Sequence, residues 1–157
     1  MSWTGPAYVA ALVLLLRANS TLAALTPKLI IVGYEPGVDD ATTDLLAIGM
    51  RVADTQVYAV SGPPMASDEE VTIECRIQVS RPGAGSVPAD AAAVQAQLIL
   101  DEIHQQVRDA SPAIGVQTVN DKVAERDYRP FPASASDGTP MRVCQVDFKI
   151  QYKARIA

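Results

Sequence analysis

The sequence predicts an α+β fold, a mainly antiparallel sheet with two helices packed on one face. Three observations carry this. Residues 71–80, VTIECRIQVS, alternate apolar and polar without a break, and residues 144–152 do the same. Period-two alternation marks a strand with one dry and one wet face. Residues 88–110 carry Ala96, Ile99, Leu100, Ile103 and Val107 at helical spacing. A second helical stretch, with Val9, Leu12, Val13 and Leu16 on one face, precedes every strand. Helices laid on one face of such a sheet bury both apolar surfaces at once.

Each element has a local reason. Pro6 suits the first turn of a helix, where its missing N–H costs nothing, and that helix runs to Ala18. Ser20 caps a short turn, STLAAL, that Pro27 ends. Residues 28–36, KLIIVGYEP, read as a strand closed by Pro36 and Gly37, and GVDDATTD is turn-like. Residues 45–61 fit helix or strand in their first half, because Gly49 weakens both, and strand at TQVYAV. The stretch from Leu45 to Met65 leaves room for an extra hairpin. Residues 62–70 and 129–140 read as flexible loops rich in Pro and small residues. Strands are expected over 114–119 and from Met141 to Ile156. The order is α, β, β, β, α, β, β.

The totals bound the function. A chain of 157 residues fits one domain, residues 1–157, and can bury roughly 68–70% of its unfolded surface. Apolar residues make up 48% and charged residues 20%, the composition of a globular protein. The net charge of −5 argues against a specific nucleic-acid binder held by phosphate contacts. The apolar run PAYVAALVLLL is shorter than the about 20 residues that cross a bilayer. No Lys or Arg precedes it, so a positive signal-peptide region is missing. It reads as a buried amphipathic helix, and no membrane partner is expected.

Chemistry is sparse. Cys75 and Cys144 lie on the apolar stripes of their strands and read as buried free thiols. A disulfide is open to them only if those strands are neighbours. CxxC is absent and His104 is the one histidine, which leaves no zinc set. Asp39, Asp40 and Asp44 cluster but lack the alternating ligands, central Gly and closing Glu of a calcium loop. His104 has Asp101 and Arg108 as helical neighbours and no nucleophile motif. No catalytic residue, metal or cofactor is therefore expected. The rival is a small enzyme whose site gathers scattered acids around Asp39 and His104.

The last strand differs. Its polar stripe carries Asp147, Lys149, Lys153 and Arg155, with Gln145 and Gln151 between them. A basic stripe in an acidic chain suits an acidic partner or another copy of the chain. A charge-split subunit can pack head to tail into a ring. Lys149, Lys153 and Arg155 form one expected patch, and Asp68, Glu69 and Glu70 the complementary patch on a neighbour.

A helix with an alanine-rich tail precedes a strand ending VGYEPG. The alternating strand opens with acids, DEEVTIECRIQV. A Gly-containing loop leads to an Ala-rich helix ending near VRDASPAIGV, and the chain closes on a strand ending KARI. In this layout the chain resembles the tail terminator (tail completion) proteins of tailed bacteriophages. The resemblance implies a non-enzymatic virion subunit, without cofactor, that forms a hexameric ring at the head-proximal end of the tail. Its implied partners are its own copies, the tail tube protein, the head-side connector or stopper, and sheath protein. Its implied place is the virion neck, after assembly in the host cytoplasm. A head-closure or other neck protein is the alternative within the same class.

Overall fold

The computed structural model describes residues 4–26, 28–34, 44–58, 67–111, 113–114 and 116–156. Asp39, Asp40 and residues 62–66 of the loop expected over 62–70 lie outside them. In chain order the elements are α1 (Gly5–Arg17), α2 (Ser20–Leu25), β1 (Ile30–Gly33), β2 (Leu45–Tyr58), β3 (Ser67–Pro82), α3 (Ser86–Ala110), β4 (Ala113–Ile114), β5 (Val116–Gln117), β6 (Val119–Ser134) and β7 (Pro140–Ile156). The fold is α+β, with three helices and a five-stranded mixed sheet in the order β1-β2-β3-β7-β6. β1 pairs parallel with β2 and the other neighbours pair antiparallel. Strands β4 and β5 form a separate two-stranded pair.

Strands β3 and β7 are the centre. Their register sets Val71 against Tyr152, Ile73 against Ile150, Cys75 against Phe148, Ile77 against Val146 and Val79 against Cys144. All ten side chains are buried. They form one cluster with Tyr8, Val9, Leu12 and Leu16 of α1 and with Ala96, Ile99, Leu100 and Ile103 of α3. The alternation therefore drives the packing: one face of each strand goes under the helices. The strands are neighbours, yet Cys75 and Cys144 sit four positions out of register. That offset is about 13 Å along a strand, beyond the 7 Å Cα separation a disulfide tolerates. Both thiols are free.

Several expectations change. Residues 45–58 are one long strand with neither helix nor hairpin. Gly49, at φ +81°, marks a register shift between Ile48 and Arg51 that breaks the alternation. A Cβ there would lie 3.1 Å from Val9 Cγ1, so glycine also lets α1 approach. The strand expected over 114–119 is the β4–β5 pair followed by the start of β6. Residues 68–70 belong to β3 and residues 129–134 to β6, so neither stretch is loop. Pro130 and Pro132 are accommodated because β6 is an edge strand, where a missing N–H need not break a ladder. The turn between β6 and β7 is closed by Gly138 N–H donating to the Ala135 carbonyl and by Asp137 accepting from Thr139 N–H. The cap of α2 is Asn19, one residue before Ser20. Its side chain accepts from Leu22 N–H and donates to Glu102 and Gln106 of α3. Among the described residues no helix is long and apolar enough to cross a membrane.

Candidate interaction surface

The outer face of the sheet is built from the other phase of the same alternation. Across β3 and β7 it reads Glu70–Lys153, Thr72–Gln151, Glu74–Lys149, Arg76–Asp147 and Gln78–Gln145. Three of these five cross-strand pairs set an acid opposite a base, and opposite charges in register favour the pairing. Lys153 Nζ lies 3.2 Å from Glu70 Oε1. Arg76 donates from Nε to Asp147 Oδ1 at 2.8 Å and from Nη2 to Oδ2 at 3.4 Å, a two-pronged contact. Lys149 reaches sideways to Glu125 Oε2 of β6 at 2.7 Å.

A kink in β6 explains that last contact. The register with β7 shifts between Ala124 and Asp127, and Glu125 sits there at φ +53°. A bulge of this kind re-aims a side chain. Glu125 then takes the lysine and pushes the Lys149 ammonium pKa above its ordinary value.

Two open depressions of about 570 and 550 Å³ lie on this surface. Glu70, Thr72, Lys122, Gln151 and Lys153 contribute to the first. Glu74, Arg76, Glu125, Asp147 and Lys149 contribute to the second. Both sizes fall within the 300–1,000 Å³ range of small-molecule pockets, but such pockets are mostly apolar and enclosing. These are open, of mixed polarity and laced with both signs of charge. They can match a complementary protein surface better than they can enclose a ligand.

The six expected contact residues divide. Lys149, Lys153 and Glu70 stand on the outer face, each in an ion pair within the chain. Arg155 and Asp68 are register partners on β7 and β3. Glu69 is fully buried and turned into the subunit, so it offers no carboxylate to a neighbour. It shares the inward phase of Val71 and Ile73, while Asp68 and Glu70 share the outward one.

Inside, Glu69 anchors α1. Thr4, the N-cap of α1, donates its N–H at 3.2 Å and its hydroxyl at 2.5 Å to Glu69 Oε1. A carboxylate there satisfies an otherwise orphaned helix donor and favours the positive end of the helix dipole. Thr4 Oγ1 also lies 3.0 Å from the Tyr152 hydroxyl. Tyr152 stacks on Tyr8, centroids 4.1 Å apart. The Tyr8 hydroxyl donates to Asp121 Oδ2 at 3.1 Å, and Thr118 Oγ1 donates to Asp121 Oδ1 at 2.6 Å. Burial, reinforced for Tyr8 by Asp121, pushes both phenol pKa values well above the usual range. The network ties the first turn of α1 to β3, β7 and β6.

Of the residues of the rival enzymatic reading, Asp39 lies outside the described residues. Asp44 is buried and held by Arg81 Nη1 at 3.2 Å and by Ser80 N–H at 3.2 Å. His104 is half-buried on α3. Among the described residues no group of three or more His, Cys, Asp and Glu is placed to hold a metal. Compared with family models and with curated proteins, the chain has no match.

Proposed function

We propose that this protein is a structural assembly subunit, the ring former that caps a phage tail tube and joins it to the head connector. One observation carries the assembly part of this reading: the size and chemistry of the outer sheet face. The β3–β7 ladder runs for 16 residues. At 3.4 Å per residue that is about 54 Å, longer than the about 37 Å of the 25-residue α3. Four long strands spaced about 4.8 Å apart give a sheet face on the order of 800–1,000 Å², of which the end carrying Leu45, Ala47, Ser80, Val143 and Gln145 is buried within the chain. The open part, around Glu70, Thr72, Glu74, Lys149 and Lys153, is a share of the about 800 Å² that each partner contributes to a standard stable interface. The face is stiff, because every strand in it is paired, and it is polar with both charge signs, as interface rims are.

The tail assignment rests on the resemblance of layout between this chain and the terminator proteins. Its test is a particle preparation lacking this protein. Tubes of uneven length that fail to join heads are expected. Tubes of normal length attached to heads would remove the assignment. An image of the purified particle tests the ring separately from the tail role.

A further inference from the structure

The helix α1 is apolar around its whole circumference. Its sequence, GPAYVAALVLLLR, holds a single charge, Arg17, at the end. Tyr8, Val9, Leu12, Val13 and Leu16 face the sheet and are buried. The opposite side carries Ala7, Ala10, Leu14 and Ala18, all exposed, with Leu14 at 66%. An amphipathic surface helix turns charged and polar groups outward, and a helix apolar all round belongs in a core. Half of α1 lacks that core.

The outward side of α3 repeats the feature. Opposite its buried row, Val87, Ala91, Val94 and Leu98 are all exposed. They follow one another at i, i+4, i+7 and i+11, the spacing of a helix–helix seam. Val94 is 61% exposed. The seam runs for about 16 Å of helix. Among the described residues none covers it.

The charges on the two stripes are opposite. Arg17 is the one charge on α1, and its guanidinium donates to the Ile31 carbonyl without a carboxylate partner among the described residues. Asp90 and Asp101 flank the α3 stripe, and no Lys or Arg occurs on α3 before Arg108. Neither acid has a cation partner among the described residues. Setting α3 against α3 would bring acids together, which costs affinity. Setting α3 against α1 joins apolar stripe to apolar stripe and acid to base.

We propose that the helical layer is a self-association surface, with α1 of one copy packed on the Val87–Leu98 stripe of a second copy and the reverse contact made at the same time. Both stripes point away from the sheet, so two copies meet layer to layer about a two-fold axis, and each contact is made twice. Arg17 of each copy lies against one of the acids that flank the stripe of the other. The contact uses the side of the sheet opposite the polar face, so it neither needs nor competes with the tail role proposed above.

Light scattering of the purified full chain over a concentration series tests it. The expected parent is an oligomer of the 16.7 kDa chain. Leu14→Glu and Val94→Glu should each weaken association by at least about tenfold. Both side chains are exposed in the subunit, so the far-UV spectrum should be unchanged. Arg17→Glu should weaken association too, and adding Asp90→Arg with Asp101→Arg should restore it. A parent that stays at one chain mass at every concentration overturns the proposal, as does an oligomer that both glutamates leave intact. Co-sedimentation of a monomeric parent with anionic vesicles, lost in Leu14→Glu, would also overturn it and assign the stripe to a lipid surface.

Discussion

Glu69 occupies a core position of an alternating strand, and the partners of its carboxylate explain why an acid is kept there. The group takes two hydrogen bonds from Thr4 and stands at the positive end of α1. Replacing it with Ala leaves the half-buried Thr4 N–H without its acceptor and the Thr4 hydroxyl with Tyr152 alone, a loss of about 1–3 kcal/mol. Glu69→Gln keeps an acceptor and should lose less. Urea unfolding of both variants checks the order, and a Glu69→Ala midpoint equal to the parent's would show that Thr4 finds water instead. Cys75 gives a second residue-scale expectation. Burial pushes its thiol up from 9.0 to about 12, and burial raises Cys144 as well. The unfolded thiol ionises first as pH rises, so above about 9 the unfolded state holds fewer protons than the native one. Stability is full below pH 9 and falls between pH 9 and about 12, through the range given by the Cys75 shift. Tyr8 and Tyr152 act in the same direction, because their folded values are also raised. Melting measured from pH 8 to pH 11 should fall less steeply in Cys75→Ala than in the parent. Native alkylation should spare both thiols, and alkylation after denaturation should label both.

At the scale of elements, legibility follows exposure. Strands β3 and β7 are plain in the sequence because one face is dry and the other wet, so side-chain polarity records the pleat. The stripe Val71, Ile73, Ile77, Val146, Phe148 and Ile150 lies under the helices, as the alternation predicts. Ile73→Ala or Phe148→Ala should cost on the order of 2–5 kcal/mol, the range for emptying a packed core site. Parent-like melting of both would contradict the packing. Strand β6 leaves little such record. It is an edge strand, largely exposed, bulged twice and punctuated by two prolines, so neither alternation nor apolar content announces it. Strand β2 is obscured at its start, where Leu45, Leu46, Ala47 and Ile48 are all buried and no polar face records the pleat. Gly49 puts its neighbours out of phase, and residues 45–51 then fit two periodicities equally. Gly49→Ala must force a side chain into a left-handed backbone and against Val9, so it should destabilise by more than about 1 kcal/mol. The candidate surface was half legible in the same sense. The outward phase of β7 shows its basic stripe in the sequence, but the acids that meet it come from β3 and from a bulge in β6. Glu69 carried a usable signal, since it falls on the apolar phase while its two neighbours do not.

For the whole molecule, the question is what a subunit gains from a large polar sheet face whose charges are already paired. Lys149 with Glu125 and Lys153 with Glu70 are exposed pairs, and pairs of that kind add little to folding. Their more useful property is that both partners keep a polar side turned to solvent, which lets an approaching surface exchange contacts without leaving a charge alone. Ring closure by a repeated head-to-tail contact needs two different complementary patches on each subunit. The basic end of β7 and the acids of β3 and β6 are the patches this face can offer. Rim charges of this kind act mainly on specificity and association rate. If the proposed function holds, Lys149→Glu with Lys153→Glu should leave the melting curve close to the parent's, while slowing ring assembly and impairing termination of tails. Placing like charges beside Glu125 and Glu70 also makes the local surface strongly acidic, so added salt should recover part of the lost assembly by screening. A double variant that assembles and terminates as the parent does would move the subunit contact away from this face. An unfolded double variant would mean that the pairs matter to the sheet itself more than their exposure allows.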